Sequence, residues 1–298
     1  MPTPTRIPTE SDFAPLTQRG LVVSLCYPSP RESTTAILIL FHGLGDSEIP
    51  FADFARRMSL PGVLGISVRG TSIVPAALIG DGARGGEHYH WGDDLRASSY
   101  TDGLDMDPGY TKAADLVLNH LIRGVLVDTC GWTTKDILLF GFGQGGSFAL
   151  GLGSLLRVPP KVVEIKEEED DKGNGQEGGD QGVSDDEGSN TQFMGIVSIG
   201  GPLPPSMIPT VSGKKKSRTP VLVCRGRASE VLDDEGDAID TIKEEFQFVK
   251  VVTWKKRDDG MPTSRDDMVS LMKFFADALS SQRWTPETPT GDAFKKKR

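Results

Sequence analysis

A glycine-rich turn between an apolar run and an apolar helical pattern constrains this chain more than any other feature. The turn, GFGQGG over residues 141–146, follows Ile137–Phe140 and precedes Phe148–Leu156. A turn of this kind between a strand and a helix has two common uses. As G-x-G-x-x-G it holds a dinucleotide pyrophosphate at a helix N-terminus. As G-x-S-x-G it exposes a nucleophile, whose position here is Gly143.

Short apolar runs alternate with segments of helical periodicity along the chain. The runs predict seven strands, at Leu21–Cys26, Ala36–Phe41, Val63–Val68, Ile137–Phe142, Met194–Ile199, Val221–Cys224 and Phe248–Trp254. The periodic segments predict helices at about 50–58, 108–127, 145–156, 234–246 and 265–279. This alternation predicts an α/β fold with a mostly parallel central sheet flanked by helices.

An acidic segment over residues 164–190 carries the whole charge imbalance of the chain. It contains eleven acidic residues and two lysines, and the complete chain has a net charge of −9. The segment has no aromatic residue, so we expect a disordered insert. We expect a flexible N-terminus over 1–18, a single domain over 19–281 and a flexible basic tail over 282–298. The balanced remainder gives no charge signal for nucleic acid or an anionic membrane.

Composition favours a cytoplasmic protein. The three cysteines are too few and too far apart for a disulfide framework or a zinc pattern. No signal peptide and no membrane span are apparent. The basic clusters at 214–218 and 295–298 are typical either of a nuclear address or of solvated loops and tails. The sequence does not indicate an oligomeric state.

Two further motifs precede the glycine-rich turn. FHGLGD over 41–46 ends an apolar run, and WGD over 91–93 lies between the two glycine-rich segments. In this order and spacing the motifs resemble the phospholipase/carboxylesterase family, which includes the acyl-protein thioesterases. The family typically shows LHGLGD, a W-x-D element and GFSQGG. The resemblance runs from about residue 20 to 281.

The resemblance implies an α/β-hydrolase fold without a large lid. It implies an oxyanion hole formed by the backbone N–H groups of Leu44 and Gln144, and a pocket to which His42 and Trp91 could contribute. It also disfavours dinucleotide binding, because a dinucleotide fingerprint usually occupies the first strand-to-helix turn. We expect no cofactor and no resident metal.

At all three positions of the family's Ser-Asp-His catalytic triad, this chain carries a different residue. Gly143 stands at the position of the serine. Ser229 stands at the position of the aspartate, with Glu230 as the alternative if the register shifts by one. Pro262 or Thr263 stands at the position of the histidine. None of the chain's four histidines follows the turn, so a base in the usual topological place is excluded.

The leading hypothesis is therefore a catalytically silent relative that binds an acyl or ester group, either on a small molecule or on a lipidated protein. A second hypothesis is a divergent esterase or thioesterase that uses Ser147 with His88 or His90. A third is a protein-interaction scaffold. His88 and His90, with Glu87, Asp93 and Asp94, also form a weak metal-site pattern, because His-x-His on an extended segment places both rings on one face.

Overall fold

The computed structural model describes residues 3–75, 78, 87–95, 105, 107–156, 190–210, 215–233 and 236–280. Seven strands form the central sheet, in the order β1-β3-β2-β6-β7-β8-β9, and a separate ribbon pairs β4 with β5. The strands are β1 Val23–Cys26, β2 Ala36–Phe41, β3 Val63–Val68, β4 Ser72–Ile73, β5 Tyr89–His90, β6 Ile137–Phe142, β7 Gly195–Ile199, β8 Val221–Arg225 and β9 Val249–Thr253.

The predicted sheet is confirmed. All seven predicted strands are present, and every pair in the large sheet is parallel except β1 with β3. Strands β2 and β3 are buried along their whole length. Burial on both faces explains why β2 is a continuous apolar run and why β3 is apolar apart from Gly65 and Ser67, rather than alternating.

Helices cover both faces of the sheet. They are α1 Glu10–Gln18, α2 Glu48–Met58, α3 Thr111–Ala114 with a π-helical continuation over Asp115–Thr129, α4 Gln144–Leu156, α5 Ala238–Glu245 and α6 Arg265–Leu279. Alternate residues of β2 enter different cores: Ile37 and Ile39 pack with α1, α3 and α4, whereas Leu38 and Leu40 pack with α2 and α6. The period-2 geometry of a strand produces this division.

The N-terminal segment differs from expectation. Residues 1–18 were expected to be flexible, but helix α1 forms over Glu10–Gln18, and its Phe13 and Leu16 are each only 3% exposed in the core. A capping box between Thr9 and Asp12 closes the start of the helix. Burial of two large side chains offsets the ordering entropy of this short helix.

Several predictions fall outside the described residues: the acidic segment apart from Asn190, the basic tail, Lys214 and the cluster at 295–298. The absence of a large lid also stays a prediction, because most of residues 76–106 lies outside the described ranges. Within those ranges, no helix combines the length and apolar character needed to cross a bilayer.

Candidate functional site

Gly143 occupies the sharp turn from β6 into α4. Its backbone is left-handed, with φ of +52°. The Gly143 N–H donates to the Ile199 carbonyl at 2.8 Å, and its own carbonyl accepts from the N–H groups of Gly146 and Ser147. A Cβ at position 143 would meet no atom within 4 Å. A side chain placed there would therefore project into open space at the carboxyl edge of the sheet.

The other glycines of the turn are required by close backbone approach. A Cβ on Gly141 would lie 2.1 Å from the Gly145 carbonyl oxygen, and a Cβ on Gly145 would lie 2.3 Å from that of Phe41. A Cβ on Gly201, which follows β7, would lie 2.5 Å from the Gly143 carbonyl oxygen. Strand β2, the turn and the segment after β7 thus meet at distances that only glycine allows.

The loop after β2 lies beside this turn. The Gly45 N–H donates to the Tyr89 carbonyl at 2.8 Å, and the Trp91 N–H donates to Gln144 Oε1 at 2.9 Å. In the described part of the chain, no hydrogen bond engages the N–H of Leu44 or of Gln144. These are the two donors that the resemblance assigns to an oxyanion hole, and Leu44 is 41% exposed.

His42 is held in one tautomer by two backbone groups. Its Nε2 accepts from the Gly70 N–H at 2.8 Å, so its Nδ1 carries the proton and donates to the Gly43 carbonyl at 2.7 Å. The ring is fully buried, and burial lowers the pKa of His42 below its usual value. Both ring nitrogens are engaged, so this side chain shapes the loop and has no free nitrogen for proton transfer.

His88 and His90 have different environments. His88 Nδ1 donates to the Gly45 carbonyl at 2.6 Å, and no hydrogen bond to its Nε2 occurs among the described residues. His90 is 4% exposed, and its Nδ1 has no partner in the described structure. Burial lowers the pKa of His90.

Acidic side chains near these histidines form hydrogen bonds to backbone groups and are not arranged as metal ligands in the described part of the chain. The Asp93 carboxylate accepts from the Thr111 and Lys112 N–H groups, at 2.8 and 2.9 Å, and so caps α3. Within the described ranges, no group of three or more His, Cys, Asp or Glu side chains is arranged to hold a metal ion.

Trp91 lies beneath the site. It is fully buried, its ring stacks on Phe148 with centroids 4.9 Å apart, and its Nε1 donates to the His42 carbonyl at 2.8 Å. Its contacts are with the core and the loop after β2. The structure therefore gives this tryptophan a supporting position under the turn.

Ser147 lies on α4, one turn beyond Gly143. Its side chain is 1% exposed, and its Oγ has no hydrogen-bond partner among the described residues. Because the Nδ1 of His90 is also without a partner, these two atoms are not paired with each other. Within the described ranges, no base lies within hydrogen-bond distance of the Ser147 hydroxyl.

The loops after β8 and β9 are tied together by Ser229. Its Oγ donates to Asp259 Oδ2 at 2.6 Å and accepts from the Leu232 N–H at 3.0 Å. Asp259 Oδ1 accepts from the Gly226 N–H at 2.8 Å. Thr263 is exposed, and its N–H donates to the Asp267 carboxylate near the start of α6. Ser229 and Thr263 thus have separate partners.

Comparison with known proteins agrees with this arrangement. Residues 27–163 match the family model described as Phospholipase/Carboxylesterase. This part of the chain is similar to the phospholipase/carboxylesterase family. The matched segment contains the loop after β2, the Trp91 segment and the turn at Gly143.

Curated relatives match over a shorter span. An uncharacterized hydrolase of Schizosaccharomyces pombe is 33% identical over 123 residues, covering 40% of this chain and 46% of the relative. One of Mycosarcoma maydis is 31% identical over 128 residues, covering 41% of this chain and 43% of the relative. The match therefore spans a little under half the length of these relatives.

Solved structures share the α/β-hydrolase fold over most of the chain. The acyl-protein thioesterase 2 of Zea mays superposes with a TM-score of 0.55 at 19% identity, covering 87% of this chain and 99% of that one. Esterase PE8 superposes with a TM-score of 0.57 at 17% identity and the same coverage. At these identities the likeness establishes the fold alone.

Three features of the site were not predicted from sequence. Asp259 bonds Ser229, the Gly70 N–H fixes the tautomer of His42, and Arg69 pairs with the buried Glu48 at 2.5 Å. Each contact joins segments far apart in the chain. A run of two aspartates at 258–259 carries no local pattern that identifies which one faces Ser229.

Proposed function

We propose that this chain is a catalytically silent relative of the acyl-protein thioesterases and carboxylesterases that binds an acyl or ester group without hydrolysing it. The observation that carries the proposal is the turn at Gly143. It has the backbone of a nucleophile elbow and open space above it, but no side chain. The N–H groups of Leu44 and Gln144 supply donors for a carbonyl oxygen.

The histidines support the same conclusion. A general base must come within hydrogen-bond reach of the proton that it removes. His42 has both ring nitrogens engaged, and none of the histidines follows the turn in sequence. Backbone donors and binding alone leave about 10³–10⁴-fold acceleration in enzymes stripped of their triad. That is well below the roughly 10⁶-fold at which enzymatic rate enhancements begin.

The proposed ligand is an acyl group on a small ester or on a lipidated protein, and the proposed setting is the cytoplasm. Backbone N–H donors suit a neutral carbonyl oxygen. Binding of this kind needs neither a metal nor a cofactor.

The test compares turnover and binding in the same purified protein. We expect no turnover of acyl thioesters or short p-nitrophenyl esters above a Gln144→Pro variant, which lacks the backbone donor. We expect a fluorescent acyl ester analogue to bind the unmodified chain more tightly than Gln144→Pro. Gln144→Leu is the matched control, because it removes the side-chain contact to Trp91 but keeps the N–H.

Turnover by the unmodified chain that is lost in Gln144→Pro would contradict the silent assignment. Equal binding of the analogue by all three proteins would contradict the binding role. The divergent esterase is tested separately with a fluorophosphonate probe. We expect no labelling, and labelling that disappears in Ser147→Ala would identify an active serine despite the buried, unpaired hydroxyl described above.

A further inference from the structure

A cavity of about 770 Å³ opens at the amino edge of the sheet, away from the turn at Gly143. It lies between the end of β1, the last turn of α2 and the start of β3, and described residues line it. Gly143 follows β6 at the carboxyl edge of the same sheet. A parallel strand of six residues, about 20 Å long, separates the two edges. The proposed acyl site therefore does not include this cavity.

Apolar side chains line the cavity on the side that faces the core. Leu38 of β2, Val63 of β3 and Leu60 between α2 and β3 are all buried. Leu25 of β1 and Ala55 of α2 also line it. Its volume lies within the range of about 300–1,000 Å³ that is typical of pockets for small organic molecules. The cavity can therefore take the apolar body of a ligand.

Arg56 is the one charged side chain among the described residues that line the cavity. It lies in the last turn of α2, and its side chain is 65% exposed. Its Nη1 pairs with Asp53, and its Nη2 lies 3.8 Å from Cys26 Sγ, which also lines the cavity. The cavity thus combines apolar walls with a single cation that is open to solvent.

The contacts of Arg56 leave its charge available to a ligand. Its pair with Asp53 joins two exposed side chains three residues apart on α2, and such pairs contribute little to stability. The guanidinium can therefore turn toward a ligand at little cost. Burial raises the pKa of Cys26, so this thiol stays neutral and places no negative charge beside the guanidinium.

We propose that this cavity binds a small organic carboxylate with an apolar body, and that Arg56 recognises the carboxylate. A planar guanidinium presents paired N–H donors that match the two oxygens of a carboxylate. One cation in the described lining suits a singly charged group. The apolar body packs against Leu38, Leu60 and Val63 and is thereby removed from water. This binding does not depend on the proposed function at Gly143.

The test compares a charged and an uncharged form of one fluorescent probe on the full chain. Dansylaminoundecanoic acid becomes brighter in apolar surroundings, and its methyl ester carries no charge. Arg56→Gln removes the cation, and Arg57→Gln is the matched control, because Arg57 is the exposed neighbour and does not line the cavity. We expect Arg56→Gln to weaken binding of the acid about tenfold, or about 1.4 kcal/mol, and to leave binding of the ester unchanged. We expect Arg57→Gln to change neither.

Alkylation of Cys26 locates the ligand independently. Cys26 is partly exposed and lines the cavity, whereas Cys130 and Cys224 are buried. We expect the acid to slow the reaction of Cys26 with iodoacetamide, followed by mass spectrometry, and to protect it less in Arg56→Gln at the same concentration. We expect full protection in Gln144→Pro, because the turn lies at the other edge of the sheet.

Several results would overturn the proposal. An equal loss of acid and ester binding in Arg56→Gln would show that the carboxylate is not recognised. An equal loss of acid binding in Arg57→Gln would report overall charge alone. Binding that leaves the alkylation of Cys26 unchanged, or that disappears in Gln144→Pro, would place the ligand elsewhere. Absence of binding to the unmodified chain would also overturn it.

Discussion

Gly143→Ser introduces a side chain at the turn position where the related family carries its serine. The φ of +52° lies in the left-handed region, which costs a non-glycine residue roughly 1–2 kcal/mol. Steric clash adds no further cost to the free energy of folding, because a Cβ there meets no atom within 4 Å. With roughly 2–4 °C per kcal/mol for a domain of this size class, we expect the melting temperature to fall by about 2–8 °C.

Gly145→Ser is the matched control, since it introduces the same side chain two residues later. Its Cβ would lie 2.3 Å from the Phe41 carbonyl oxygen and 2.4 Å from that of His42. Both contacts are with backbone, so we expect a loss above about 4 kcal/mol, or failure to fold. Thermal melts and urea unfolding measure both variants.

The same Gly143→Ser protein tests the chemistry. Because none of the four histidines follows the turn in sequence, we expect ester and thioester turnover to stay at the level of the unmodified chain. A stability equal to or above that of the unmodified chain would refute the strain argument. A large gain in turnover would show that a base reaches position 143, with His88 as the first residue to examine because its Nε2 makes no hydrogen bond to any described residue.

Three further predictions concern the surroundings of the turn. Ser229→Ala should cost about 1.5–3 kcal/mol in urea unfolding, the range for hydrogen bonds to charged groups, and Ser229→Asp should cost more because it faces the Asp259 carboxylate. Glu48→Gln should cost roughly 3 kcal/mol by the same measurement, because it leaves the Arg69 guanidinium without its buried partner. Because burial lowers the pKa of His42, the unfolded chain binds its proton at higher pH than the folded chain. The free energy of unfolding should therefore fall as pH drops below about 6.5, and His42→Gln should reduce that slope in urea titrations from pH 8 to 5.

The sheet could be predicted from the sequence because its strands are buried on both faces. The run Ala36–Phe41 has no polar interruption, and Val63–Val68 has only Ser67, which is buried and donates its hydroxyl to the Glu48 carbonyl. Helix α1 could not be predicted in the same way. Only Phe13 and Leu16 of this helix are buried, and both depend on a surface that the rest of the chain provides.

The side-chain contacts of the site were less predictable than the backbone. The position of Gly143 followed from the motif order, but the partner of Ser229 did not. Asp259 reaches Ser229 only because β8 and β9 are paired in a particular register, with Arg225 opposite Thr253. A change of one residue in that register would place Asp258 or Gly260 there instead.

The geometry of the turn does not depend on a nucleophile. The backbone at Gly143 is fixed by its hydrogen bonds to Ile199, Gly146 and Ser147, and by the close approach of Gly201 to its carbonyl oxygen. Catalysis, in contrast, requires particular side chains on three separate loops, and none of the backbone contacts requires those side chains. Under the proposed function, substitution at the three triad positions abolishes hydrolysis, while the proposed donors of Leu44 and Gln144 keep their places. A binding function that uses backbone donors is the one that such a site can retain.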